Sequence, residues 1–312
     1  MGTAVIFPGQ GTQHAQMGAV WRATPHWTVV ERAEAALGRP LGDLLLEAPA
    51  EVLARTLEAQ LSVLLCSLMA WDMVAGELAL GDGEGPVVAF AGHSLGQLTA
   101  LVAAGALSLE DGVVLAAQRA RATQDAVDRH PGRMAALIGA ELDQAEDACT
   151  AHPQAWVAND NAPGQVVIGG SPDGLEAACQ RARDLGVRRV VPLNVGGAFH
   201  TPLFAEAAEA LRPALAAAPF RAGSAPVVSN VDARAHTDPS VWPAQLADHL
   251  VSPVRWRECL LTLSRLGATS LVEVGPGNVL AGLARRTLTG VPVRNVAVPA
   301  DAETVRTPLE VC

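Results

Sequence analysis

Val87-Val88-Ala89-Phe90-Ala91 runs directly into Gly92-His93-Ser94-Leu95-Gly96, and this segment determines the predicted fold class. The apolar run follows a Gly/Asp/Pro-rich break at residues 81–86, which predicts a short buried strand. Gly-x-Ser-x-Gly after a strand is the nucleophile-elbow pattern, in which glycines permit a strained turn that exposes the serine. A helix of small residues is predicted over 97–106. An ordinary structural turn is the alternative reading of the same pattern.

Predicted strands and helices alternate on both sides of this elbow. A strand over residues 5–7 enters a glycine-rich turn over residues 8–13. Helices are predicted over residues 29–37, 51–57, 60–77, 109–127, 202–217, 243–250 and 254–266, and strands over residues 227–229 and 270–274. Because such alternation produces a mostly parallel sheet with helices on both faces, the predicted fold class is α/β.

Residues 129–195 follow a different order, which predicts a small inserted subdomain. Strands are predicted over residues 134–138, 156–158, 165–168 and 188–192, with helices over residues 143–151 and 172–185. This β-α-β-β-α-β order is the ferredoxin-like arrangement. The sequence therefore predicts a large domain over residues 1–128 and 196–312, interrupted by a ferredoxin-like subdomain over residues 129–195.

Composition excludes several function classes. The chain has 312 residues, half of them hydrophobic, so it can bury a large core. A net charge of -10 argues against nucleic-acid binding, which needs a basic face. All 22 basic residues are arginine, so chemistry that requires a lysine amine, such as a Schiff base or a Ser-Lys dyad, is excluded.

Cysteine usage and hydropathy add further expectations. The five cysteines, including Cys312, are scattered without a Cys-x-x-Cys pair, which argues against a zinc site or a disulfide framework. No metal or redox cofactor is expected. Because no apolar run reaches the ~18 consecutive residues of a membrane span and no signal peptide is visible, we expect a soluble, cytoplasmic protein without a membrane partner.

A serine nucleophile needs a base, and His200 is the candidate among eight histidines. It lies in Gly196-Gly197-Ala198-Phe199-His200-Thr201-Pro202, between a predicted strand and a predicted helix. In α/β folds, functional residues follow the C-terminal ends of strands. A structural histidine is the alternative.

Motifs spread along nearly the whole chain resemble those of the malonyl-CoA:acyl-carrier-protein transacylase family. In order, they are Phe7-Pro8-Gly9-Gln10-Gly11-Thr12-Gln13, Gly92-His93-Ser94-Leu95-Gly96, Asn159-Asp160-Asn161 with Pro163-Gly164-Gln165, Ala198-Phe199-His200, and Glu273-Val274-Gly275-Pro276-Gly277. With the elbow, the resemblance implies an α/β-hydrolase-like large domain carrying the small subdomain. It also implies an acyltransferase of fatty-acid or polyketide synthesis.

The resemblance implies roles for five residues in a ping-pong cycle. Ser94 would attack an acyl-CoA thioester with His200 as base, and a carrier protein's phosphopantetheine thiol would then collect the acyl group. The backbone amides of Gln10 and Leu95 would form the oxyanion hole. The main-chain carbonyl of Ser252 would orient His200. The alternative is that Ser252 is an ordinary loop residue.

The resemblance also implies a pocket for a carboxylated acyl group. Arg119 would hold the substrate carboxylate, because a guanidinium can bind it in bidentate fashion. Phe199 would narrow the pocket, and Met134 and Asn161 fall at further pocket positions. Arg119 could instead be a solvated helix residue, and Met134 and Asn161 could be core and turn residues.

Two residues depart from the family pattern and leave the substrate open. Gln97 stands where glutamate is usual, and Thr123 stands where a larger methionine is common, which suggests a wider or more polar pocket. The alternatives are therefore action on unusual acyl-carrier thioesters, by transfer or hydrolysis, and a non-catalytic carrier-binding subunit. An acidic carrier would need a basic landing area, for which the candidates are Arg181, Arg183, Arg188 and Arg189, or Arg285 and Arg286.

Overall fold

The computed structural model describes residues 2–80 and 86–306. Residues 81–85 of the predicted break and Cys312 lie outside the described residues. The strands are β1 (Thr3–Phe7), β2 (Val87–Gly92), β3 (Arg133–Ile138), β4 (Ala155–Ala162), β5 (Gln165–Gly170), β6 (Arg189–Pro192), β7 (Val227–Val228), β8 (Ala235–His236), β9 (Ser270–Val274) and β10 (Val293–Val296). The α-helices are α1 (Thr28–Leu37), α2 (Gly42–Leu46), α3 (Ala50–Leu53), α4 (Thr56–Leu80), α5 (Gly96–Ala103), α6 (Leu109–Arg129), α7 (Leu142–Cys149), α8 (Pro172–Asp184), α9 (Ala205–Ala217), α10 (Trp242–Asp248), α11 (Trp256–Arg265), α12 (Val279–Thr287) and α13 (Ala302–Arg306).

The large sheet has the order β10-β9-β1-β2-β7-β8 and is parallel except for the short edge strand β8. Its central strand β1 is buried on both faces. Val5 and Phe7 join one hydrophobic cluster, whereas Ala4 and Ile6 join the cluster on the opposite face. Side chains alternate across a strand, so each face of the sheet has its own core. The predicted α/β class with a parallel sheet is confirmed.

The small sheet has the order β4-β5-β3-β6, with antiparallel pairing throughout. Helices α7 and α8 pack on it through a third hydrophobic cluster. This is the predicted ferredoxin-like arrangement, which is confirmed. The sheet runs from Arg133 to Pro192, within the predicted insertion, and the boundaries at 128/129 and 195/196 stay predictions.

Helix α4 packs along one face of the large sheet. Trp71 makes edge-to-face contacts with Phe7 on β1 and Phe90 on β2, with ring centroids 6.0 and 5.4 Å apart. By length and composition alone, its segment Thr56–Leu78 could cross a membrane, contrary to the expectation from the apolar runs. However, 67% of its most apolar window is buried inside the protein, as in a core helix of a globular domain.

Element boundaries differ from the predictions mainly where local signals are weak. The helix predicted over residues 51–57 is not continuous in the structure, where α3 ends at Leu53 and α4 begins at Thr56. Helix α12 and strand β10 were not predicted. The carboxylate of Glu273 accepts hydrogen bonds from the amides of Leu280 (3.2 Å) and Ala281 (2.7 Å), and so caps the N-terminus of α12 from the preceding strand.

Candidate active site

Ser94 lies in a sharp turn between β2 and α5, with φ = 53° in the left-handed region. Two glycines make this turn sterically feasible. A Cβ atom on Gly92 would lie 1.8 Å from the carbonyl oxygen of Gly96, and one on Gly96 would lie 2.2 Å from that of Phe7. The elbow therefore requires glycine at both positions, and it presses directly against the end of β1.

The loop after β1 lies directly against the elbow. A Cβ atom on Gly9 would lie 2.5 Å from the carbonyl oxygen of His93, so only glycine permits this contact. Gln10 follows immediately. Within residues 2–80 and 86–306, the amides of Gln10 and Leu95 donate to no protein acceptor. Both donors thus remain available near Ser94.

His200 contacts Ser94 from the loop before α9. Its Nε2 atom lies 2.8 Å from Ser94 Oγ, and its Nδ1 atom lies 2.8 Å from the carbonyl oxygen of His249. Because a carbonyl oxygen only accepts, Nδ1 carries the proton and Nε2 is free to accept the serine proton. His200 itself has φ = 62°, so both members of the dyad have left-handed backbone conformations.

The prediction that Ser252 orients the histidine stays a prediction, because the backbones of both His249 and Ser252 act on His200 by hydrogen bonding. The main acceptor is the carbonyl of His249, which caps the C-terminus of α10, where carbonyls lack intrahelical donors. The backbone of Ser252 makes only a weaker contribution to the His200 pKa than that of His249. The loop is held against the small sheet, since the Val254 amide donates to Ala158 O (2.9 Å).

Burial keeps the imidazoles around Ser94 neutral. Desolvation, with the nearby Arg119 charge as the second cause, lowers the pKa of His200 to about 3. Desolvation likewise lowers the pKa of His93, and it lowers the pKa of His249 well below the usual value. A neutral His200 has an unprotonated Nε2 atom and is therefore the form that can accept a proton.

Arg119 points from α6 toward the nucleophile. It is 5% exposed, and its Nη2 atom donates to Ser94 Oγ at 3.2 Å. Its Nη1 atom donates to the Oε1 atom of the buried Gln60 on α4. No carboxylate in the described part of the chain pairs with it, and burial lowers its pKa to about 10, so it remains charged at neutral pH. An unpaired buried guanidinium is a ready binding group for an anion.

A cavity of about 120 Å³ opens beside Ser94 and His200. Three of the five predicted pocket residues line it, namely Arg119, Met134 and Phe199. The complete lining is Gln10, His93, Ser94, Arg119, Met134, Asn159, Val167, Leu193, Val195, Phe199 and His200. Thr123 and Asn161 do not line it, contrary to the prediction. Thr123 is fully buried behind Arg119, where its hydroxyl bonds to the carbonyls of its own helix.

Asn161 instead supports the elbow. Its Oδ1 atom lies 2.9 Å from Nε2 of His93, whose ring packs edge-on against Trp256. Asn159, two residues earlier on the bulged strand β4, lines the cavity in its place. Both asparagines of the sequence motif lie against His93, since Nδ2 of Asn159 is 3.4 Å from its Nε2 atom, but of the two only Asn159 lines the cavity.

Two further residues under the elbow were not predicted as a pair. The Oδ1 atom of Asn230 accepts a hydrogen bond from the Ser94 amide at 2.9 Å. The buried Gln97 holds that segment, since its Oε1 atom accepts from the Asn230 amide at 3.0 Å and its Nε2 atom donates to Val228 O at 3.2 Å. Asn230 follows β7, and this position at the C-terminal end of a parallel strand is the available sequence signal.

No group of three His, Cys, Asp or Glu side chains within residues 2–80 and 86–306 could hold a metal ion. The polar groups around the cavity instead comprise a serine hydroxyl, an imidazole, a guanidinium and backbone amides. This set can form and stabilise a covalent ester intermediate by general-base chemistry.

The chain is similar to known proteins over most of its length. Residues 4–304 match the acyl transferase domain family. The malonyl CoA-acyl carrier protein transacylase of Bacillus subtilis (strain 168) is 37% identical over 289 residues, covering 91% of this chain and 89% of that protein. The protein of the same name in Escherichia coli (strain K12) is 36% identical over 290 residues, covering 91% of this chain and 92% of that protein.

Solved structures show the same similarity. The acyl-carrier-protein S-malonyltransferase of Bartonella henselae superposes with a TM-score of 0.91 at 36% identity, covering 97% of this chain and 98% of that one. A malonyl-transacylase solved in complex with its type II polyketide synthase acyl-carrier protein has a TM-score of 0.91 at 32% identity, covering 98% and 99%. The chain is therefore an acyltransferase and belongs to the malonyl CoA-acyl carrier protein transacylase family.

Proposed function

We propose that this acyltransferase moves a malonyl-type acyl group from coenzyme A to the phosphopantetheine thiol of an acyl carrier protein, through an acyl-enzyme on Ser94. The observation that carries the proposal is the buried guanidinium of Arg119, which lies 3.2 Å from the nucleophile and pairs with no carboxylate among the described residues. A malonyl carboxylate would supply the missing partner. The charge-assisted contact is worth about 1.5–3 kcal/mol and is absent for a monoacyl group.

The acylation half-reaction follows from the dyad. Ser94 Oγ attacks the thioester carbonyl carbon as its proton moves to Nε2 of His200, and a tetrahedral intermediate forms. The C–S bond then breaks, and the coenzyme A sulfur takes the proton from His200. The contact between Nδ1 and the His249 carbonyl keeps the ring oriented throughout and stabilises the transient imidazolium.

The oxyanion of that intermediate would be stabilised by the amides of Gln10 and Leu95. Support comes from the close approach of the Gly9 loop to the elbow and from the absence of protein acceptors for these two amides within residues 2–80 and 86–306. The Leu95 amide also begins helix α5, whose N-terminus favours negative charge. Removing one such donor typically lowers the rate by ~10²–10³-fold.

The second half-reaction repeats these steps in reverse, with the carrier thiol as nucleophile. The thiol gives its proton to His200 and attacks the ester carbonyl. When the C–O bond breaks, Ser94 regains a proton and the acyl group leaves on the carrier. Because the same dyad serves both halves, no cofactor other than the thioester substrate is required.

We propose that the carrier docks beside strand β6. Arg188 and Arg189 at its start are exposed, and the chain continues from them to Leu193 and Val195, which line the cavity. Among the other candidates, Arg181 pairs with Asp147 at 3.0 Å, and Arg286 bonds to Gln165 at 2.9 Å. An acidic carrier at β6 could therefore direct its phosphopantetheine arm along a short path to Ser94.

The cytoplasmic location of the protein stays a prediction.

The alternative substrates, unusual acyl-carrier thioesters, were suggested by Gln97 and Thr123. Neither side chain lines the cavity, since Gln97 lies under the elbow and Thr123 behind Arg119. No contact of the described residues therefore favours that alternative over malonyl transfer.

Intact-protein mass spectrometry after incubation with malonyl-, methylmalonyl- and acetyl-CoA tests the proposal. Wild type should carry a malonyl adduct that Ser94→Ala lacks. Arg119→Ala should lose malonyl loading about 10- to 100-fold while still accepting acetyl. Arg119→Lys keeps the charge but not the planar guanidinium, so its malonyl loading should lie between that of wild type and that of Arg119→Ala. Acylation by acetyl-CoA alone would contradict the malonyl assignment, and acylation by no donor would favour the non-catalytic reading. Transfer to a holo carrier protein tests the second half-reaction.

A further inference from the structure

Three buried polar side chains form a hydrogen-bonded series behind the acyl cavity. Gln60 on α4 and Thr123 on α6 are each 0% exposed, and Arg119 is 5% exposed. Gln60 Nε2 donates to Thr123 Oγ1 at 3.0 Å, and Gln60 Oε1 accepts from Nη1 of Arg119. Gln60 thus connects the guanidinium to a threonine that does not reach the cavity.

The hydroxyl of Thr123 has a fixed direction. Its oxygen lies 2.9 Å from Arg119 O and 3.1 Å from Ala120 O, and both carbonyls can only accept. The single hydroxyl proton is therefore used within the helix, and the side facing Gln60 can only accept. Of the two ends of the Gln60 amide, only the NH₂ group can bond there.

The orientation of Gln60 then determines what Arg119 meets. With its NH₂ group on Thr123, the amide presents its oxygen to Nη1, leaving Nη2 aimed at Ser94 Oγ. A rotated amide would place NH₂ against the guanidinium, two donors would face each other, and a buried charge would lose its acceptor.

We propose that Thr123 is a positioning residue for substrate selection: through Gln60, its hydroxyl holds the Arg119 guanidinium in the orientation that receives the substrate carboxylate. This inference rests on the proposed malonyl transfer. It assigns a role to the departure at position 123, where a methionine could not accept a strong hydrogen bond from the amide.

The test compares Thr123→Val, which keeps the branched shape but removes the acceptor, with Thr123→Ser, which restores it. Initial rates of Ser94 acylation are measured with malonyl-CoA and acetyl-CoA. We expect Thr123→Val to raise the KM for malonyl-CoA and to lower the malonyl-to-acetyl ratio of kcat/KM about tenfold, with Thr123→Ser staying within about twofold of wild type. In a Gln60→Ala background, Thr123→Val should change that ratio no further, because the residue has nothing left to orient.

Each outcome decides the proposal. An unchanged ratio in Thr123→Val, an equal loss for both substrates, or an undiminished effect in the Gln60→Ala background would overturn it. Thr123→Ala, read against Thr123→Ser, replaces the valine variant if that variant fails to fold. Failure of wild type to load malonyl, with acetyl loading intact, would contradict the proposed function itself and is distinguishable from all of these.

Discussion

His200 and His249 contact each other twice. The Nδ1 atom of His200 donates to the carbonyl oxygen of His249 at 2.8 Å, and the two imidazole rings lie 4.8 Å apart between centroids with 33° between their planes. One residue therefore orients the base through its main chain and packs against it through its side chain. A side-chain substitution separates these two contacts, because it keeps the carbonyl.

His249→Gln should reduce kcat/KM for malonyl-CoA less than tenfold, since the orienting carbonyl is retained and only the ring contact, worth about 0.5–1.5 kcal/mol, is lost. His200→Ala is the matched comparison, and it should lose ~10²–10⁴-fold because the base itself is removed. Steady-state rates of both variants check this. A loss in His249→Gln as large as that in His200→Ala would mean that the ring, and not the carbonyl, orients the base.

Acylation of Ser94 should persist at mildly acidic pH. Burial and the Arg119 charge lower the pKa of His200 from 6.5 to about 3, so the ring remains a neutral base across that interval. Quenched-flow acylation rates between pH 5 and 8 should show no acidic limb at the usual imidazole pKa of ~6.5. A fall in the acylation rate centred near pH 6.5 would show that the His200 imidazole is exposed to solvent.

The free energy of unfolding, unlike the acylation rate, should fall as the pH decreases below about 6.5. His93, His200 and His249 are buried with lowered pKa values, whereas the unfolded chain binds their protons below about 6.5. Stability is therefore fully present above that pH and falls as pH decreases, by up to about 1.4 kcal/mol per pH unit for each histidine. Urea unfolding at pH 7.5 and 5.5 measures this fall, which should be smaller in His249→Gln. An equal fall in both proteins would contradict the assignment.

Gly9→Ala should impair the enzyme by displacing the loop that carries Gln10. The added Cβ atom would meet a main-chain oxygen at 2.5 Å, which cannot move as a flexible side chain does. Gly76→Ala on α4 is the control, because a Cβ atom there meets nothing within 4 Å and should stabilise the helix by about 0.5–1 kcal/mol. Acylation rates and thermal melts of both variants test this, and normal activity in Gly9→Ala would exclude a tight oxyanion loop.

The elbow and the two sheets could be predicted because their signals are local. Strand β2 is an apolar run, the turn needs glycines that the sequence displays, and the order of elements in the small subdomain implies its topology. Strand β10 was missed because Arg294 and Asn295 stand together between Val293 and Val296, so that this half-buried edge strand has neither an apolar run nor strict alternation.

The site needed information that no local pattern contains. The main acceptor for His200 is His249, with a smaller contribution from Ser252, because α10 and the following loop are fixed by long-range bonds, including that of Val254 to β4. Asn159 lines the cavity and Asn161 does not because of how β4 packs against the elbow, where both side chains lie against His93. Thr123 faces Gln60 because α4 packs on α6. Each of these depends on how distant segments pack.

Gln97→Glu restores the residue usual in the family, and the structure predicts that it is unfavourable here. Gln97 is 2% exposed and uses both ends of its amide, accepting from the Asn230 amide and donating to Val228 O. A carboxylate can accept but cannot donate, so it would face the Val228 carbonyl at hydrogen-bonding distance. We expect a loss of about 1–3 kcal/mol at neutral pH. Because Asn230 holds the Ser94 amide, acylation should also slow.

The pH dependence of that loss identifies its cause. Protonation would let the introduced carboxyl group donate to the Val228 carbonyl as the native amide does, so its folded-state pKa lies above the unfolded value of ~4.3. The variant's stability deficit is therefore smallest below that pH and grows as pH rises through the raised pKa. Urea unfolding of wild type and Gln97→Glu at pH 5 and 8 measures the deficit at both values. Gln97→Met, which neither donates nor titrates, is the control and should show a deficit that does not vary with pH. If Gln97→Glu behaves the same way, the buried carboxylate is not the cause, and lost packing around Val228 and Asn230 is.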